Sequence, residues 1–348
     1  MRIGILTGGG DCPGLNAVIR GIVIRANKEN YDVFGFTDGW RGVLENKGEN
    51  LTKERVEDIH REGGTILGTS RTNPFKEKEG LERIKETLKE RKIDVLVAIG
   101  GDDTLGVANK LYREGIKTIG IPKTIDNDLS STDYTFGFDT AINIAVEAID
   151  RLHTTAKSHH RVLVVEIMGR HAGWITLEAG IGGGAHIILI PEVPFNLEEV
   201  CQILLERKKK GKNYSIVAVA EGAKAAKGSK FLTREVTKEE KTDAFGNIIL
   251  GGIAKVLEKE ISKRTGIETR SVILGHLQRG GRPSAFDRFL ATRFGIKAVE
   301  MLKEGKIGQM ASLRGTEITS VPLEEAVGKT KQVPVSLYQE TAEILQGE

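Results

Sequence analysis

The chain has 348 residues, of which 39% are hydrophobic and 28% charged; this excludes a disordered or fibrous polypeptide and supplies enough apolar side chain for two α/β cores. Its 51 Lys and Arg against 48 Asp and Glu leave a formal charge of +3, too little to make nucleic acid or a membrane surface the main partner. Two cysteines without metal-type spacing, Cys12 and Cys201, an N-terminus too glycine-rich for a signal peptide and the lack of any run of about 18 apolar residues point to a cytoplasmic protein with no disulfide framework and no membrane span.

Along the chain, Val- and Ile-rich runs at 3–6, 93–99, 118–121, 162–168, 186–190, 216–220 and 271–274 alternate with amphipathic stretches at 16–26, 80–91, 140–154, 197–209, 248–263 and 285–303. Nearly uninterrupted apolar runs leading into Gly read as parallel strands buried on both faces, with the amphipathic stretches as crossover helices. The fold class is therefore α/β, with two doubly wound, Rossmann-like domains of mainly parallel sheet and a site in the cleft between them. The polar, mixed-charge segment 223–243 reads as a surface insertion or mobile loop. Ligands in such sheets bind beyond the carboxyl ends of the strands, and the chemistry-bearing residues cluster there.

After the first run comes Gly8-Gly9-Gly10-Asp11-Cys12-Pro13-Gly14, opening a helix. Glycines let the backbone approach an anion, and a helix N-terminus presents unpaired N–H groups, so this turn suits phosphate; a plain tight turn is the alternative. It is neither a Walker A nor a dinucleotide fingerprint. Next is Gly100-Gly101-Asp102-Asp103-Thr104. Two adjacent carboxylates at a strand end suit Mg²⁺, which takes oxygen ligands and bridges phosphates; helix capping is the competing reading. In Pro122-Lys123-Thr124-Ile125-Asp126-Asn127-Asp128, Asp126 can accept a hydroxyl proton and Lys123 can offset charge on a transferring phosphoryl group. Asn127 and Asp128 read more simply as an Asx-rich turn. Arginines flank two later strands: Arg161 opens one that Met168-Gly169-Arg170 closes, and Arg270 opens one that leads to His276-Leu277-Gln278-Arg279. Arginine binds phosphate bidentately, but a strand of roughly seven residues spans ~20 Å, so its two ends cannot serve one site in one subunit. Glu221 ends a further strand, as a ligand for sugar hydroxyls or a loop acid.

Taken together, GGGDCPGLNAVIRG, GTSR (68–71), GGDDT, PKTIDND, FGFDTA (136–141), VEIMGRHAGW (165–174), AEG (220–222) and GHLQRGG (275–281) resemble the phosphofructokinase family in order and spacing from about residue 1 to 300. That resemblance implies a homotetramer that phosphorylates the 1-hydroxyl of fructose 6-phosphate in glycolysis or gluconeogenesis, with Mg²⁺ as cofactor. By position it makes Asp126 the base, with Thr124 and Asp128 nearby, and puts Met168, Gly169, Arg170, Glu221, His276 and Arg279 in the sugar-phosphate pocket. Arg161 and Arg270 resemble arginines contributed to a neighbouring subunit's site, while Gly10, Arg71 and Asp102 fall on the donor and metal side. The resemblance further implies a donor-side domain of residues 1–138 plus 252–305 and a sugar-side domain of 139–251 plus 306–348.

Pyrophosphate-using members are similar to this chain in carrying Asp and Lys at the positions of Asp103 and Lys123, whereas ATP users resemble one another in having Gly at the first and commonly Gly at the second. A carboxylate at Asp103 stands where the α-phosphate of ATP must lie. Two like charges ~5 Å apart repel by about 3 kcal/mol at an effective dielectric of 20, roughly a hundredfold in affinity. Pyrophosphate escapes that penalty, and Lys123 compensates for the lost adenosine contacts by acting on the transition state. The expectation is a reversible, pyrophosphate-dependent enzyme; an ATP-dependent enzyme on the same scaffold and a non-catalytic metabolite-binding regulator are the alternatives.

Overall fold

Apolar runs buried along their whole length build two sheets, whose carboxyl ends meet. The structure, a computed structural model, describes residues 1–226 and 251–347. Its elements run β1 (Arg2–Thr7), α1 (Leu15–Lys28), β2 (Asp32–Phe36), α2 (Trp40–Leu44), β3 (Gly48–Asn50), α3 (Gly80–Glu90), β4 (Val95–Gly100), α4 (Asp102–Arg113), β5 (Thr118–Pro122), α5 (Phe138–His159) and β6 (Val162–Ile167). They continue with α6 (Trp174–Gly182), β7 (Ile187–Leu189), α7 (Leu197–Lys209), β8 (Ser215–Ala220), α8 (Ile253–Thr265), β9 (Thr269–Ile273), α9 (Ala285–Lys303), β10 (Gln309–Arg314), β11 (Glu317–Pro322), α10 (Leu323–Ala326) and α11 (Val335–Tyr338). No helix among the described residues is long and apolar enough to cross a membrane.

The larger sheet has the order β11-β10-β5-β4-β1-β2-β3, parallel except for its two outermost strands. The smaller one, β7-β8-β6-β9, is parallel throughout. Both are covered by helices, as fully buried parallel strands require. Long α5 leads from one sheet to the other.

Strand pairing divides the chain differently from the expected division at 252–305 and 306–348. β9 is hydrogen-bonded to β6, in the register Val162↔Thr269, and α8 packs into the core of the smaller sheet through Ile253, Leu257 and Ile261. β10 returns to the larger sheet beside β5, and β11 pairs with β10. Only α9, of the 252–305 segment, packs on α1 of the larger unit: a Cβ on Gly295 would stand 2.5 Å from the carbonyl oxygen of Val18, so glycine is what lets these two helices cross so closely. The expected helix at 248–263 begins at Ile253 among the described residues, and of the polar segment at 223–243, residues 227–243 lie outside them.

Phe294 on α9 is fully buried, with its ring 6.5 Å from that of Phe136. Phe294→Ala is expected to destabilise the chain by about 3–5 kcal/mol. Denaturant unfolding checks this, and an unchanged midpoint would show that α9 is not part of the core.

Candidate active site

In the larger sheet, β1 has β4 on one side and β2 on the other, which makes the carboxyl ends of β1 and β4 the topological switch point. Two glycine turns meet there. Gly8 N–H donates to the carbonyl of Ile99 at 3.0 Å, tying the first turn to the end of β4. A Cβ on Gly10 would lie 2.6 Å from Nη1 of Arg279, so any side chain there would push that guanidinium aside. Arg279 ends the turn Gly275–Arg279 that follows β9, and so reaches from the smaller sheet to the glycine turn of the larger one.

The cavity between the sheets has a volume of about 150 Å³ and a polar wall. Gly10, Asp102, Asp103, Lys123, Thr124, Asp126, Arg170 and Arg279, all anticipated from the sequence, line it. Lys123, buried at the end of β5, donates from Nζ to the carbonyl of Gly10 at 2.5 Å, and burial lowers its pKa. Asp126 is also buried, and its Oδ1 has no hydrogen-bond partner. Burial raises its pKa, against the opposing charges of Arg170, Arg279 and Lys123. Asp128 is pushed up to about 7 by burial and by the neighbouring Asp126.

The loop that carries these acids is held by its own side chains. Asp126 N–H donates to Thr124 Oγ1 at 3.1 Å, and Thr135 Oγ1 donates to the carbonyl of Thr124 at 2.7 Å. Asn127 has φ 50°, and its Oδ1 accepts from Thr135 N–H at 3.2 Å and from Lys331 Nζ at 2.9 Å. The Asn127 amide thus shapes the loop through Thr135 and Lys331.

Gly101 occupies the N-cap of α4, with Asp102 and Asp103 in the first turn, and there is no side-chain cap. Capping thus does not account for the two acids. One oxygen of Asp102, Oδ1, accepts from Gly328 N–H at 2.7 Å. Among the described residues no group of three or more His, Cys, Asp and Glu is placed to hold a metal ion. A cation at Asp102 would draw its remaining ligands from phosphate oxygens and water, which fits Mg²⁺.

On the smaller sheet, Met168, Gly169 and Arg170 follow β6, and Glu221 follows β8. Glu221 Oε1 accepts from Arg170 N–H at 3.0 Å and Gly169 N–H at 3.4 Å, and burial raises its pKa to about 7. Met168 is partly buried against the core. His276 is exposed in the turn before Arg279, and Arg71 is exposed; neither lines the cavity. Arg161 and Arg270 lie at the opposite ends of β6 and β9, where both bind Glu268 at 2.9 Å. With β6 six residues long, they stand ~20 Å from Arg170.

Four further wall residues, Asp11, His171, Lys329 and Thr330, were not singled out from the sequence. Asp11 and His171 sit inside motifs already noted, so their place in the motif was the available signal. Lys329 and Thr330 sit in a polar stretch that carries no periodic or motif signal.

A sequence model of the family described as "Phosphofructokinase" matches residues 2–302, and the chain belongs to that family. It is 55% identical over 343 residues, 98% of both chains, to a protein of Streptomyces coelicolor named pyrophosphate--fructose 6-phosphate 1-phosphotransferase. It is also 52% identical over 344 residues, 98% of this chain and 99% of the other, to an ATP-dependent 6-phosphofructokinase of Mycobacterium leprae. Among solved structures, the pyrophosphate-dependent phosphofructokinase from Marinobacter aquaeolei superposes with a TM-score of 0.80 at 26% identity, covering 99% of this chain and 91% of that one.

Glu221 titrates at about 7 when folded, against an ordinary value of 4.5. Its folded state holds the proton more tightly, so its contribution to stability is full below about pH 4.5 and is lost as pH rises through about 7. Glu221→Gln keeps an acceptor for the two amides and should flatten the fall in melting temperature across that window. An unchanged slope would show that Glu221 is not the titrating group.

Proposed function

We infer that this chain transfers a phosphoryl group reversibly from pyrophosphate to the 1-hydroxyl of fructose 6-phosphate, giving fructose 1,6-bisphosphate and phosphate. The observation that carries this reading is Asp126: a buried carboxylate with an unpartnered oxygen, beside Lys123, Arg170 and Arg279 where two glycine turns meet. A raised pKa and a vacant acceptor suit a general base awaiting a hydroxyl. The sugar oxygen attacks the terminal phosphorus in line as Asp126 takes its proton, and the P–O bond to the departing phosphate breaks. Lys123 and Arg279 meet at Gly10, where they offset charge on the transferring group. Gly10 and Asp103 line the donor side and Thr124 holds the Asp126 loop, while Arg71 stands outside the cavity wall as an outer donor residue. Asp102 would hold Mg²⁺, which when bound would supply charge neutralisation for the donor.

Met168, Gly169, Arg170, Glu221 and His276 form the sugar-phosphate side. Arg161 and Arg270, adjacent to one another and remote from this chain's own cavity, act on a neighbouring subunit's substrate, which makes a homotetramer of the cytoplasm the working form. Asp103 in the cavity wall supports pyrophosphate over ATP through like-charge repulsion of an α-phosphate. The second reading is ATP as donor, favoured by the Mycobacterium leprae relative's printed name.

The ratio of turnover with pyrophosphate to turnover with ATP tests the donor directly, and a ratio below one would overturn it. Asp126→Ala should lower kcat by about 10²–10⁴ while leaving fructose 6-phosphate binding nearly unchanged in calorimetry; undiminished turnover would remove Asp126 as the base. Asp103→Gly should improve kcat/KM for ATP by roughly a hundredfold, and no improvement would refute the electrostatic account of that residue.

A further inference from the structure

The chain beyond residue 302 lies outside the family match, yet part of it returns to the cavity. Residues 328–333 form a strap across the site. Gly328 N–H donates to Asp102 Oδ1 at 2.7 Å, and Thr330 forms a bridge with Leu129. Lys331 N–H donates to the carbonyl of Asp128 at 2.7 Å, and its carbonyl accepts from Trp174 Nε1 at 2.8 Å. The Lys331 ammonium donates to Asn127 Oδ1 at 2.9 Å, the carbonyl of Thr132 at 2.9 Å and that of Asp133 at 2.8 Å. Val333 N–H donates at 2.9 Å to Glu192 Oε1, which also accepts from Gly173 N–H at 2.9 Å. The strap is thereby fastened to the first turn of α4, to the loop of Asp126 and to the start of α6.

Between two of these anchors stands Lys329, exposed and in the cavity wall. We propose that Lys329 is a donor-binding residue: the strap delivers its ammonium to the phosphate of the donor that lies beside Asp102. This rests on the pyrophosphate reading above. Its backbone neighbour, Gly328, is hydrogen-bonded to Asp102, so Lys329 is on the donor side by connectivity. The wall there carries Asp102 and Asp103 on α4, which repel a polyanion, and Lys123 already donates to a backbone carbonyl. A compact ammonium offsets that repulsion. Because the backbone is fixed on both sides of it, only the Lys329 side chain has to be ordered when the donor arrives, which keeps the entropic cost of the contact low.

The test is Lys329→Ala and Lys329→Arg in the full-length protein, with steady-state kinetics and the thermal shift produced by pyrophosphate alone. Lys329→Ala should raise the KM for pyrophosphate about tenfold or more, as expected for losing a charged hydrogen bond to phosphate. The KM for fructose 6-phosphate, kcat and the melting temperature of the free protein should stay near wild type, because the side chain is exposed. Lys329→Arg should recover most of the loss, and the thermal shift with pyrophosphate should shrink in Lys329→Ala. A KM for pyrophosphate unchanged by Lys329→Ala, with active wild type, would overturn this proposal alone. A wild-type protein inactive with pyrophosphate would overturn the proposed donor and this proposal together.

Discussion

Lys123 is 4% exposed, and its ammonium is held against the carbonyl of Gly10. A lysine out of water at the end of a central strand is costly, and the lowering of its pKa by burial reports that cost. Asp126 carries the mirror-image strain, a carboxylate raised by burial with one oxygen unpartnered. Arg170, Arg279 and Lys123 offset the rise at Asp126, whereas Arg279 adds to the lowering at Lys123, which Asp126 opposes. Lys123 donates to the carbonyl of the β1 turn, and Arg279 lies where a Cβ on Gly10 would press against it. Arg279 comes from the smaller sheet, so the carboxyl ends of two separate sheets must converge for one buried charge cluster to exist.

The chain's path follows from that convergence. It completes most of the larger sheet, crosses through α5, builds the smaller one, and then returns through α9, β10 and β11 to finish the first. The strap follows the last strand and runs back over the carboxyl ends of both. The segment that bonds Asp102 on one side receives Trp174 Nε1 on the other, and so ties elements of the two sheets together.

The sequence displayed the central strands openly. β1, β4, β5, β6 and β8 are apolar on both faces because helices cover both, so each shows as a run. β2 starts with Asp32 and holds Gly35, and β10 and β11 mix polar with apolar residues at the sheet's margin, which blurs the signal. Which sheet a run joins is not written locally. β9 and α9 are successive elements of the chain, yet one pairs with β6 while the other packs on α1, and only pairing partners distant in sequence decide that. The cavity residues were legible because Gly, Asp and Lys at strand ends point to one place in an open α/β sheet. Lys329 was not, since a lysine in a polar stretch looks like any surface loop until the far ends of the chain are brought together.

The acids of the smaller sheet fall into two groups with different energetics. Glu166, Glu192 and Glu221 each accept from backbone amides: Gly252 and Ala254, Gly173 and Val333, and Gly169 and Arg170. These bonds to backbone amides fix the shape of the turns that follow the strands. Glu268 instead pairs with Arg161 and Arg270 at the surface, its side chain 44% exposed. Such an exposed pairing is worth about 0–1 kcal/mol, so Glu268 holds the two guanidiniums only loosely. The turns at the carboxyl ends of the smaller sheet's strands are thus held by carboxyl–amide bonds, whereas the arginine pair at the opposite ends is neutralised only at the surface.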